Sequence, residues 1–148
     1  ADGAAVRAWF SRHGEFHVRT ANQGAAGNVW EHDEAPAANT QATETRAAQA
    51  AGIRNICTGI QATIASNGTA PTAAQLDLVL RDGAAGTGAI IWEQALSIPA
   101  TAGAVNGIVC NGLWLVGTAA TAMTLEFGAA GGANSFEAIS MQGISITE

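Results

Sequence analysis

The chain has 148 residues, enough for one domain with a hydrophobic core and short for two. Its formal net charge is −6, and its six basic residues are all arginines, scattered from Arg7 to Arg81. Nucleic-acid binders gather cations on one face to neutralise phosphates, and a membrane helix needs ~20 apolar residues in a row; neither feature is present, so no nucleic-acid or membrane partner is expected.

In chain order, Val6 to Phe10 and Glu15 to Thr20 read as a hairpin across Ser11-Arg12-His13-Gly14. In its second half Phe16 and Val18 share one face and Glu15, His17 and Arg19 the other, the pattern of a half-buried strand. Residues 21–45 are polar, with only Val29 and Trp30 as packing residues. Such a stretch does not bury enough apolar surface to order itself, so it is either a flexible arm or is ordered on another subunit. Thr43 to Ala51 has good helix formers but no bulky stripe, leaving a helix stopped at Gly52 or an extended lead-in strand. Residues 1–52 are therefore read as an N-terminal arm with a short hairpin, and residues 53–148 as the folded body.

The body is a run of strand-like segments with turn chemistry between them, the signature of an all-β sandwich or barrel. Ile56, Ile60, Ala62 and Ile64 fall on one face with Thr58, while Cys57, Gly59, Gln61 and Thr63 fall on the other. Leu76, Leu78 and Leu80 alternate with Asp77, Val79 and Arg81, and Met123, Leu125 and Phe127 with Thr124 and Glu126. Each offers one apolar face, as sheets packed on one side do. Ala89-Ile90-Ile91-Trp92 is apolar on both faces and suits a central strand or one lying under a neighbouring subunit. Towards the C-terminus Phe136 and Ala138 oppose Ile139 and Met141, so either both sides are partly covered or a bulge intervenes near Gly143. Alanine inflates the 48% hydrophobic fraction, and with four Trp, four Phe and no Tyr the core rests on Ile, Leu and Val. A thin sandwich reinforced by association is the expectation.

Chemistry is sparse. There is no Gly-x-Ser-x-Gly, no phosphate loop with a lysine and no Cys-x-x-Cys. Gly83-Ala84-Ala85-Gly86-Thr87-Gly88 lies between two strands and reads as a mobile hairpin tip, with Asp82-Gly83 as its turn signal. His13 and His17 are four apart on a strand, too far for chelation, and His32 precedes Asp33 and Glu34; all three read as surface histidines. Cys57 and Cys110 read as small buried thiols. No catalytic residue, metal or cofactor is expected, and the chain is read as a non-enzyme. Ala1-Asp2-Gly3 shows no signal-peptide pattern. Trp92 and Trp114 are expected as core or intersheet anchors. Trp9 and Trp30 sit where little local core receives them, so they either contact another chain or pack on the outside of their own sandwich, and tryptophan is a favoured hot-spot residue. Trp9, Phe10, Arg12 and Trp30 are therefore the candidate partner contacts.

The stretch Ala50-Ala51-Gly52-Ile53-Arg54-Asn55-Ile56-Cys57-Thr58-Gly59-Ile60-Gln61 resembles a recurrent opening in small virion proteins of tailed bacteriophages. The resemblance continues through Leu80-Arg81-Asp82-Gly83, Ile91-Trp92, Leu96 with Pro99-Ala100, and Asn111-Gly112-Leu113. It ends with Thr121 to Phe127 and Gln142-Gly143, and a weaker phrase runs from Asp2-Gly3 to Gly14-Glu15-Phe16-His17-Val18. It implies an antiparallel jelly-roll-like β-sandwich in a structural protein of the phage particle. The resemblance implies a trimer, and the first reading of its place on the particle is a capsid decoration or cement protein, assembled in the host cytoplasm. Its partner would be the major capsid protein on the outer capsid surface. The alternative is a receptor- or glycan-binding module of a tail fibre.

Overall fold

A computed structural model describes residues 29–67 and 75–147, together with the backbone of two short strands, β1 (Arg7–Phe10) and β2 (Phe16–Arg19). These two pair with each other in the register Phe10↔Phe16 and Ala8↔Val18, which gives the expected hairpin at backbone level.

Eight further strands build two four-stranded antiparallel sheets, and no helix occurs among the described residues. They are β3 (Val29–Glu34), β4 (Thr43–Arg46), β5 (Ile53–Ser66), β6 (Gln75–Asp82), β7 (Ala89–Ser97), β8 (Val105–Val116), β9 (Met123–Phe127) and β10 (Ser135–Thr147). Sheet one has the order β3-β10-β5-β8, and sheet two the order β4-β9-β6-β7. The pairing has a simple rule. β6 pairs with β7, β5 with β8, β4 with β9 and β3 with β10. The chain runs out along β3 to β6 and returns beside itself along β7 to β10, and successive rungs of this doubled ribbon alternate between sheets. Rolling such a ribbon into two packed sheets makes a jelly-roll β-sandwich.

The core lies between the sheets. Ile60, Ala62 and Ile64 of β5 and Ile139 and Met141 of β10 face Leu76, Leu78 and Leu80 of β6 and Met123, Leu125 and Phe127 of β9. Phe127, Leu78, Leu80 and Ile60 are fully enclosed, so the period-two reading of these strands holds. It breaks at one place in β5: a register shift between Cys57 and Gly59 changes the phase, and Cys57 faces the core alongside Ile60. A second shift falls between Gln142 and Gly143 of β10, the bulge that the sequence offered as one of two readings there.

The boundary drawn at residue 52 does not divide the structure. β3 and β4 both precede it, yet each supplies an edge strand to a sheet. A polar strand needs only one apolar contact face when it sits at an edge, and β3 obtains its anchor from Trp30, which is 5% exposed. Of the segment left as helix or strand, Thr43–Arg46 is extended and pairs with β9. β7 is an edge strand, not a central one.

Candidate interaction surface

The outer faces of the two sheets differ. On sheet two Thr124 and Glu126 of β9 point away from the core, yet both are buried. The turn after β6 covers them: Gly86 N–H donates to Glu126 Oε1 at 3.0 Å, and Thr124 Oγ1 donates to the Gly83 carbonyl at 2.8 Å. Arg81 completes the cover, with Nε 2.5 Å from Glu126 Oε1 and Nη1 3.0 Å from the Gly88 carbonyl oxygen. The glycine-rich turn is thus tied down by a buried ion pair, where the sequence suggested a mobile tip. Gly83 and Gly88 approach so closely that a Cβ on either would lie 2.8 Å from the other's Cα.

Sheet one has no such cover among the described residues. Its outward residues form cross-strand rows set by the register. One row is Val105–Ala65–Phe136, the next Gly107–Thr63–Ala138, then Val109–Gln61–Ser140–Asp33, then Asn111–Gly59–Gln142–Glu31. Val105 and Val109 are 64% and 63% exposed, and Phe136 is 38% exposed. Asp33, Gln61, Thr63 and Ser140 line an open groove of about 240 Å³ that crosses β3, β10 and β5. Glycines flatten this face: a Cβ at Gly107 would lie 2.8 Å from the Ala62 carbonyl oxygen, and one at Gly59 2.6 Å from Gln142 Nε2.

Trp114 belongs to the same face. Between the pairs Gly59↔Asn111 and Cys57↔Leu115, three residues of β8 oppose the single Thr58 of β5. Gly112 adopts φ 73° there, a conformation that costs other residues strain. The excursion leaves Leu113 and Leu115 packed towards the core and Trp114 between them pointing out, 62% exposed. The sequence expectation of a core or intersheet anchor at Trp114 is overturned by this bulge. Trp92 does pack against the core, though only partly buried.

Trp30, expected at a partner interface, is instead a core residue. Its ring lies against Gly143, where a Cβ would overlap it, 6.0 Å from the His32 ring and 5.8 Å from the Arg46 guanidinium. The missing side chain of Gly143, set opposite Trp30 by the pairing of β10 with β3, leaves the space the indole fills, and one-dimensional pattern reading has no access to that space. Trp9 and Phe10 lie in β1, and their side chains fall outside the described residues, as does Arg12.

His32 Nδ1 sits 3.2 Å from Glu44 Oε1, and among the described residues no group of three His, Cys, Asp or Glu is placed to hold a metal. His13 and the side chain of His17 lie outside the described residues. Glu137 is buried at the rim of the sandwich, where its carboxylate accepts the Ala42 and Gly131 N–H groups, each at 2.8 Å. Burial raises its pKa above the ordinary carboxylate value, the two N–H groups oppose that rise, and the charge of Glu34 adds to it. Glu34 itself accepts the Thr43 N–H at 2.5 Å, so the two carboxylates together clamp the β3–β4 connection. Cys57 and Cys110 are free thiols; Cys57 is enclosed, and burial pushes its pKa to about 11.

No protein-family model matches the chain, and a search of curated proteins finds no match. Among solved structures, one described as "CBM4 structure and function" is similar at 7% identity and a TM-score of 0.38, over 82% of this chain and 96% of that one.

Proposed function

We propose that this is a non-enzymatic virion structural protein, a capsid decoration or cement protein that binds the outer capsid surface through the major capsid protein. The observation that carries the reading is the bare outer face of sheet one. Among the described residues Val105, Val109, Trp114 and Phe136 stand exposed there, while on the opposite sheet Thr124 and Glu126 lie under the protein's own turn. Exposed apolar surface of this kind marks interaction sites in soluble proteins, and tryptophan is a frequent hot-spot residue. The phage assignment rests on the sequence resemblance. A rigid sandwich bound at many equivalent positions adds contact area between capsomers and so resists internal pressure.

The test is binding of the purified chain to expanded capsids. Trp114→Ala and Val109→Glu alter exposed positions, so the fold is kept and capsid binding should fall at least about tenfold, the range of a hot-spot loss of ~1.4 kcal/mol or more. Undiminished binding by both variants would sink the use of this face. Deleting residues 1–28, which precede β3, tests the arm separately.

A second reading, a glycan-binding module, is favoured by the groove. Asp33, Gln61, Thr63 and Ser140 offer hydroxyl-bonding groups on the face that also bears Trp114, a ring a sugar can stack on. Glycan-array binding lost in Gln61→Ala would support it, and a blank array would remove it.

A further inference from the structure

Among the described residues the two sheets end in four strand edges with no paired neighbour, and these are not alike. β3 carries Glu31, Asp33 and Glu34, β4 carries Glu44 and Arg46, and β7 carries Glu93. Charge at an edge is how folded proteins stop chance pairing with another chain. β8 has none. It is also the longest of the four, at 12 residues against 6, 4 and 9. The uncharged span extends well beyond it, because no Asp, Glu, Lys, Arg or His occurs from Gln94 to Leu125.

Neither face of β8 is polar enough to compensate. Val105, Val109 and Trp114 are exposed on the outer side. On the inner side Ile108, Cys110, Leu113 and Leu115 pack against the core yet stay only partly buried, as do Ile91 and Trp92 of β7. β7 and β8 lie on the same side of the sandwich, where Asn106 Nδ2 donates to the Ser97 carbonyl at 2.9 Å. The result is an apolar seam beside an unblunted edge.

We propose that β8 pairs edge to edge with β8 of a second copy of this chain, over Val105–Asn111, joining two sheets across a two-fold axis. The copy is favoured over an unlike partner by charge. A chain of net charge −6 repels itself over most of its surface, and this span is where two copies meet without like charges opposed. The same span offers an oppositely charged partner nothing to hold. Pairing stops at Asn111 because the excursion at Gly112 bends the strand, whereas Val105–Asn111 runs in unbroken register against β5. This pairing stands independently of the capsid reading, and it differs from the trimer that the resemblance implies.

The experiment is sedimentation equilibrium of the full chain across a wide concentration range, with maleimide labelling of Cys110 run in parallel. Cys57 is enclosed and its thiol pKa is about 11, so Cys110 is the reporting thiol. The expected result is a doubling of mass with concentration, and Cys110 labelling that slows as the dimer forms. Ile108→Lys places the usual edge gatekeeper on the seam with a stem long enough to reach water. Val109→Lys does the same from an already exposed position, and it keeps the test valid where the first variant does not fold. Both should stay monomeric with an unchanged circular-dichroism spectrum. A wild-type monomer throughout overturns the proposal, as does dimerisation persisting in the folded lysine variants. A closed trimer does so too, because a two-fold contact is satisfied at two copies.

Discussion

Arg81 and Glu126 form a buried ion pair on the outer face of sheet two, Nε to Oε1 at 2.5 Å, with side chains only 16% and 2% exposed. The pair does more than neutralise itself. Through Gly86 N–H and the Gly88 carbonyl it holds the β6–β7 turn down on the sheet. Removing one partner strands the other charge, and breaking a buried pair in this way costs roughly 3–5 kcal/mol. Glu126→Ala is therefore expected to destabilise the fold by that order in urea unfolding. The double variant Arg81→Met/Glu126→Leu should recover only part of the loss, because it removes both charges but leaves the Gly86 N–H and the Gly88 carbonyl without their partners. A single variant as stable as the parent would show that the turn is held by other contacts.

Two tryptophans should behave oppositely. Trp30→Ala empties space against Gly143 and His32 and is expected to cost about 3–5 kcal/mol, as large-to-small core changes do. Trp114→Ala removes an exposed ring and should stay within about 0.5 kcal/mol of the parent. Thermal unfolding of the two variants side by side reads the difference, and equal losses would contradict the outward placement of Trp114.

Glu137 gives the fold a pH signature. Its folded pKa is raised by burial, so between the unfolded and folded values the native state binds more protons than the unfolded state. Stability contributed by this group is therefore fully present below the unfolded value and is lost as pH rises through the folded one. Glu137→Gln removes that titration and should flatten the slope of stability against pH in the mildly acidic range just above the ordinary carboxylate value. Denaturant midpoints measured at several pH values decide the point, and an unchanged slope would assign the pH dependence elsewhere.

Gly112 and Gly107 test the shape of β8. At Gly112 a Cβ meets open space, but φ of 73° costs an L-residue about 1 kcal/mol, so Gly112→Ala should be mildly destabilising. Gly107→Ala drives a Cβ to 2.8 Å from the Ala62 carbonyl oxygen, and the backbone has to move. Overpacking of this kind costs typically about 1–3 kcal/mol, so Gly107→Ala should lower the melting temperature by more than Gly112→Ala does.

Much of the fold was legible along the chain. Leu76-x-Leu78-x-Leu80 and Met123-x-Leu125-x-Phe127 declare strands buried on one face, and the structure places those residues together in the core. The candidate contacts were less legible. Trp30 looked unsupported because its neighbours in sequence are polar, yet its support comes from Arg46 on the next strand and from Gly143, far away in the chain. The exposed face of sheet one went unsingled because Val105, Val109 and Trp114 read as ordinary strand hydrophobics; the absence of charge from Gln94 to Leu125 was the available signal.

By itself the sequence determined that the body is all-β, which positions face inward within each regular strand, and where turns fall. These follow from period-two alternation and from the backbone freedom of glycine, both local properties. Only the tertiary structure decided that β3 and β4 belong to the sandwich, that Trp30 is core and Trp114 is not, and that β8 is an edge. Those outcomes depend on which strands lie side by side and on register shifts at Cys57/Gly59 and Gln142/Gly143. A shift of one residue exchanges the two faces of a strand, so burial beyond a bulge is set by the partner strand and not by the residue's own neighbours.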